Sequence, residues 1–206
     1  MTSPPSRRRA PAMSTEQRRA MIVAAALPLV AEHGAAVTTG QIARAAGIGE
    51  GTIFRVFTDK DELLDACTAE AMNPDHVLRE LASIPLDDPL AARLIQAAEA
   101  LHAHLERMGT VIGALHASGH RRERTSADRP APGSRQASMK ATRDAVTELI
   151  EPDRAVLRLE PEKIAAVFLG MLSIRSGLAS HEAEASPDEL VDILLHGTLA
   201  ASGSPA

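Results

Sequence analysis

Aromatic side chains are almost missing from this sequence: three Phe, no Trp and no Tyr among 206 residues. A core must then be built from Ala, Leu, Ile, Val and Met. β-Branched residues come only in short clusters, none alternating long enough to pattern a sheet, so the composition favours helices. The single cysteine, Cys67, excludes an intramolecular disulfide, suits a reducing cytoplasm and reads as a small buried hydrophobe. No apolar run is expected to span a bilayer, and no signal-peptide core follows the charged N-terminus. Signatures of catalysis are missing as well: no Gly-x-Ser-x-Gly, no phosphate loop, no His-Glu-x-x-His and no paired Cys and His. The sequence therefore gives no reason to expect an enzyme, a cofactor or a membrane protein.

What is present is ordinary in bulk and uneven in detail. The chain is 45% hydrophobic and 24% charged, enough to bury a core in one large domain or two small ones. From Arg7 to Lys60 eight basic residues face four acidic ones, a surplus of four, so the remainder carries −9 of the total −5. A modestly basic head on an acidic body fits a protein that presents one end to DNA.

The organising stretch is Thr38 to Lys60, TTGQIARAAGIGEGTIFRVFTDK. Thr38 followed three residues later by Gln41 is a capping-box spacing. Ile42, Ala43 and Ala46 give the first short helix an apolar face, and Gly47 ends it. A second helix is expected from Glu50 through Phe57, with Ile53, Val56 and Phe57 facing inward and Glu50, Thr52 and Arg55 facing out. That layout is a helix-turn-helix whose second helix enters a major groove. Arg55 is the best base reader, because its planar fork matches guanine O6 and N7. Glu50 either accepts from cytosine N4 or is simply a first-turn carboxylate; Arg44 either touches phosphate or is a solvated helix residue.

The run from Arg18 to Leu64 resembles the TetR-type (TetR/AcrR) transcriptional regulators. The matching positions are Ile22, Val23, Ala25, Ala26, Leu29, Val30 and Gly34, then Thr38 and Thr39. They continue with Ile42, Ala43, Ala46, Gly47 and Ile48, then Gly51, Thr52, Ile53, Phe54, Phe57, Lys60, Leu63 and Leu64. The resemblance implies DNA contacts from Thr38, Thr39, Arg44, Glu50, Gly51, Thr52, Phe54, Arg55 and Lys60, with Thr39, Thr52 and Lys60 on phosphates. Three departures thin the hydrogen-bonding surface. Phe54 stands where Tyr is usual, Val56 where His or Tyr is common, and Gly40 where some members carry a base-contacting side chain.

Along the chain, residues 1–13 read as a disordered basic arm, whose Arg7, Arg8 and Arg9 either reach into a minor groove or serve as a solubilising tail. Met13 is an alternative start. Residues 14–73 form the helix-turn-helix domain. Ser14 with Gln17 caps its first helix, Pro28 should bend that helix near Ala24, and Thr58 with Asp61 caps its fourth. Residues 74–201 form a helical bundle, with helices expected at Asp75–Ser83, Pro89–Met108, Val111–Ala117, Ser134–Ile150, Pro161–Ser180 and Pro187–Leu199. Between Ser118 and Arg135 a polar Gly-, Pro- and Arg-rich stretch reads as a surface loop.

The resemblance further implies a small-molecule pocket in the C-terminal bundle. Its candidate lining is Leu101, His102, Leu105, Met108, Ile112, His116, Met139, Val146 and Phe168, with His104 as another polar handle. His116 and His120 have a metal-compatible spacing, but no third ligand joins them, so no metal is expected. Dimers would form through Phe168, Met171, Leu172, Leu178, Leu190, Ile193, Leu194 and Gly197, where small residues on the first of the two helices permit close approach; the alternative is a purely intramolecular core. The expectation is an all-α, two-domain chain: a three-helix head and a ligand-binding, dimerising bundle. Its function would be a cytoplasmic, ligand-responsive regulator, a repressor that binds a palindromic double-stranded DNA operator as a homodimer and is released by a small apolar effector. The alternative is a helical small-molecule carrier or scaffold with a degenerate head.

Overall fold

A computed structural model of the chain describes residues 13–119, 134–177 and 185–196. All regular structure among these residues is helical. The residues divide into two compact units: 13–71 together with 110–119, and 72–109 together with 134–177 and 185–196. The expected division at residues 73 and 74 gave the first unit no share of the later helices. It in fact takes the end of one. Arg7, Arg8, Arg9, His120, Leu178 and Gly197, and residues 120–133 of the loop expected between Ser118 and Arg135, lie outside the described residues.

In the first unit α1 runs Thr15–His33, a single 3-10 turn covers Gly34–Ala36, and α2, α3 and α4 span Thr39–Ala45, Glu50–Ile53 and Lys60–Ala71. Ser14 and Thr38 each accept a hydrogen bond from the amide three residues on, and the Gln17 and Gln41 side chains in turn accept from the cap amides. Two orphan donors are satisfied at each helix start. Helix α1 runs on through Pro28. Pro28 and Ala24 are both exposed, so the carbonyl left without its amide faces water. Ile22, Val23, Ala26 and Val30 of α1 meet Ile42, Ala43, Ile53, Phe57, Leu63, Leu64 and Cys67 in one buried core. The stretch Thr15–Ala36 is long and apolar enough to cross a membrane by length and composition, contrary to expectation. Its apolar stripe is instead the wall of this core.

Two local details differ from expectation. Regular α3 stops at Ile53, and Val56 and Phe57 both donate their amides to the Ile53 carbonyl, at 2.9 and 2.8 Å. Gly51 and the β-branched Thr52, Ile53 and Val56 are weak helix formers, so a tightened turn finishes what packing alone positions. Helix α4 is capped by Asp59, whose carboxylate accepts the Glu62 amide at 2.8 Å, while Glu62 accepts from the Thr58 amide and hydroxyl, each at 2.7 Å. The cap sits one residue later than Thr58 and Asp61. Glu, with its longer arm, reaches back where Asp would not.

The second unit contains α5 (Asp75–Ala82), most of α6 (Leu90–Ala117), α7 (Ser134–Ile150), a 3-10 segment (Glu151–Val156), α8 (Pro161–Gly177) and α9 (Pro187–His196). Pro74 precedes α5. The two pieces expected at Pro89–Met108 and Val111–Ala117 are one helix of 28 residues. Gly109 and Gly113 each cost about 1 kcal/mol relative to Ala, and burial of Val111 and Leu115 in the first unit's core offsets it. The second core joins Val77 and Leu81 of α5, Leu94, Ala98 and Leu101 of α6, Val146 and Ile150 of α7, Phe168 and Leu172 of α8, and Leu190 of α9. Arg93 is buried with it. Its Nη1 donates to the Leu86 carbonyl at 3.1 Å and its Nη2 pairs with Asp153.

Candidate nucleic-acid interface

The helix-turn-helix sorts its residues cleanly by face. Ile42, Ile53 and Phe57 are essentially inaccessible. Thr38, Arg44, Glu50, Gly51, Phe54 and Arg55 are exposed, and Thr39, Thr52 and Lys60 are half-buried. The turn depends on Gly47, whose φ of +67° allows it to donate to the Arg44 carbonyl while Ile48 donates to Ala43. Without that left-handed residue α2 would not hand the chain to α3 at this angle. Phe54, with half of its surface exposed at 52%, offers a ring without a hydroxyl, so it can stack or fill but not donate.

Two residues are engaged in ways the sequence did not announce. The Thr39 hydroxyl donates to Glu50 Oε1, tying the first residue of α2 to the first of α3. A Cβ on Gly40 would lie 3.9 Å from the other Glu50 oxygen, an ordinary contact. Lys60 Nζ donates to the Ala35 carbonyl at 2.6 Å, while the Ala35 amide donates to Ser118 Oγ at 2.7 Å. An ammonium has three donors, so this bond leaves Lys60 able to hold a second acceptor. It is nonetheless a strut between α4 and the segment that follows α1.

Behind this surface, α1 and α4 are clamped by Arg19. Its guanidinium lies 4.4 Å from the Phe57 ring centroid and its Nη1 donates to Glu62 at 2.8 Å. Bonds from the Thr58 amide and hydroxyl, then Arg19, pull the Glu62 carboxyl down to about 2. Burial pushes the Cys67 thiol up to about 12, which makes it a core hydrophobe and not a nucleophile at neutral pH.

The residues expected to line a pocket do not all come together. Leu101, Val146 and Phe168 belong to the second unit's core. His102, Leu105 and Met108 are half-buried on the same stretch of α6, with His102 3.2 Å from Glu106. Burial lowers the His104 pKa, with Arg107 adding to the effect and Glu80 opposing it. Met139 is exposed, and Ile112 and His116 lie in the first unit's share of α6. Among the described residues no group of His, Cys, Asp and Glu is placed to hold a metal ion. Of the expected dimer residues, Phe168, Leu172 and Leu190 are spent on the protomer's own core, Met171 and Leu194 are half-buried, and Ile193 is exposed. The outward face of α8 carries Ala166, Val167, Gly170 and Ser173 instead.

Comparison with known proteins bears on the head most directly. The family model of bacterial regulatory proteins, tetR family, matches residues 22–67, a segment that contains every expected DNA-contacting residue. Among solved structures, a putative TetR-family transcriptional regulator from Mesorhizobium loti aligns with a TM-score of 0.59 at 16% identity, over 88% of this chain and 96% of that one. A TetR transcriptional regulator from Streptomyces coelicolor aligns at 0.55 and 22% identity, over 87% and 97%. The transcriptional regulator FadR from Bacillus subtilis, in complex with stearoyl-CoA, aligns at 0.54 and 15%, over 87% and 99%. At these identities the structures establish a shared fold along most of the chain. The head at residues 22–67 is thus similar in sequence to the tetR family of bacterial regulatory proteins, and the rest of the chain is similar to solved structures in fold alone.

Proposed function

We propose that this protein is a cytoplasmic, ligand-responsive transcriptional repressor that binds a palindromic operator as a homodimer. The observation that carries the reading is the segregation of the helix-turn-helix: Ile42, Ile53 and Phe57 are sealed in the core while Arg44, Thr52, Phe54 and Arg55 remain on the surface. Thr39, Thr52 and Lys60 hold phosphates and set register, and Arg55 reads a guanine edge. Because the surface is poor in hydrogen-bonding groups, DNA shape and half-site spacing supply much of the selectivity.

Dimerisation uses α8 and α9, through the exposed Val167 and Ile193. Small Ala166, Gly170 and Ser173 beside Val167 admit close helix approach. A small apolar effector binds the second unit and shifts the dimer towards a state whose reading heads no longer match successive major grooves. The Bacillus subtilis neighbour holds stearoyl-CoA, whose acyl chain is apolar, so long-chain acyl groups are the first effectors to test. Residues 90–109 of α6 belong to the second unit and residues 110–117 to the first.

The test is a gel shift on duplexes selected from a random pool by the full-length chain. A salt-dependent, sequence-specific complex is expected, and failure to retain any duplex at low salt would overturn the reading. Arg55→Ala should relax preference at one base position at a cost of about 1–3 kcal/mol, whereas Lys60→Ala should weaken every duplex alike. Uniform weakening by both would remove Arg55 from base reading.

A further inference from the structure

We propose that Glu50 discriminates against non-cognate DNA by competing with phosphate for the single proton of the Thr39 hydroxyl. The inference rests on the reading of the head given above and adds a specificity element to it. A threonine hydroxyl has one hydrogen to donate, and here Thr39 donates it to Glu50 Oε1. Glu50 is exposed and Thr39 half-buried, in the same helix-turn-helix as Thr52 and Arg55. A duplex brought to this face presents about one negative charge per 1.7 Å of helix axis. An exposed carboxylate at that boundary repels it and withholds a phosphate donor at the same time.

The penalty is relieved at bases that carry an amino group on the major-groove edge, cytosine through N4 and adenine through N6, whereas guanine N7 and O6 and thymine O4 only accept. Opposite such an amino group the carboxylate gains a donor from the base, and Thr39 is released to bind phosphate. Opposite an acceptor edge the carboxylate keeps Thr39, or is left facing negative charge. The two contacts therefore switch together, which turns an unfavourable charge into a selectivity device, as interfaces that work by rejecting the wrong partner do.

The experiment compares wild type, Glu50→Gln and Glu50→Gln/Thr39→Val, binding the duplex selected by the wild-type chain and a scrambled duplex of equal length. Glu50→Gln should tighten the scrambled duplex roughly 5- to 10-fold and the selected duplex less than about 2-fold. It should also steepen the salt dependence on scrambled DNA by about one ion. Adding Thr39→Val should remove part of that gain, because the freed hydroxyl supplies it. Replacing the cytosine or adenine that Glu50 faces in the selected site by guanine or thymine should lower affinity for wild type and not for Glu50→Gln. An unchanged ratio of selected to scrambled affinity, or equal weakening of both together with a lower melting temperature, would overturn the proposal and make Glu50 a brace between α2 and α3. If the wild-type chain selects no duplex at all, the reading of the head falls with it, an outcome distinct from binding with an unchanged ratio.

Discussion

Gly34→Ala is the most informative perturbation of the first unit, because two separate costs meet at one atom. Gly34 has φ +56° and ψ −138°, a region that is essentially reserved for glycine and costs other residues about 1–3 kcal/mol. A Cβ built there would lie 2.3 Å from the Ala114 carbonyl oxygen and 2.4 Å from Ser118 Oγ. The serine can rotate away. The carbonyl is part of α6 and cannot, so the end of that helix must back off by about 1 Å, an overpacking cost of about 1–3 kcal/mol. Mid-range values add to about 4 kcal/mol, a large share of the 5–15 kcal/mol typical of a folded domain. Gly47→Ala is the control: its φ is +67°, yet nothing lies within 4 Å of the added carbon, so it should cost only about 1 kcal/mol. Thermal melts followed by circular dichroism should show Gly34→Ala melting roughly 8–16 °C lower and Gly47→Ala roughly 2–4 °C lower. Exchange of the Ala35 amide, which donates to Ser118, should accelerate in the first variant only. Equal losses for the two variants would mean that α6 does not seat on Gly34, and the assignment of residues 110–119 to the first unit would fail.

The head was legible because local chemistry and tertiary packing agree there. Ser14 with Gln17 and Thr38 with Gln41 are caps whose partners lie three residues away, so spacing alone identifies them. At the start of α4 two such spacings overlap, Thr58 with Asp61 and Asp59 with Glu62, and local pattern does not choose between them. The choice follows from Arg19, 43 residues from Glu62, which holds that carboxylate in place. The same non-local origin explains why the Thr39 bond to Glu50 and the Lys60 bond to Ala35 were not foreseen.

The second unit was legible as helices but not as surfaces. An apolar stripe on α8 and α9 reports that something covers it, not what does. Phe168, Leu172 and Leu190 were therefore read as a dimer seam, although α5, α6 and α7 within the same chain supply their neighbours. The sequence suggests two helices, Pro89–Met108 and Val111–Ala117, where packing of Val111 and Leu115 carries one helix on. Arg93 left no signal at all: it is one arginine in an apolar helix, and its partner Asp153 is 60 residues distant.

Two further outcomes are expected, one from each unit. Glu62 has its folded pKa near 2, below the ordinary 4.5, so its ionised form stabilises the first unit above the unfolded value and that contribution is lost as pH falls from about 5 towards 2. The side chain is 36% exposed, which screens the contribution to about 1 kcal/mol. Urea unfolding of wild type and Glu62→Gln should differ at pH 7, differ less at pH 3 and converge only as the pH falls to about 2, and a gap independent of pH would refute the assignment. In the second unit, Asp153→Ala leaves the Arg93 guanidinium, whose side chain is only 2% exposed, buried with the Leu86 carbonyl and without its counter-charge. Breaking a buried pair by removing one partner costs about 3–5 kcal/mol. Asp153 itself is 31% exposed, so water can reach the vacated site and the lower end, about 3 kcal/mol, is expected. The Arg93→Met/Asp153→Leu double variant removes both charges and should recover most of the loss, because the desolvation cost of the guanidinium disappears with it. If the double variant is as unstable as Asp153→Ala in urea unfolding, Arg93 matters for the space it fills and not for the ion pair it makes.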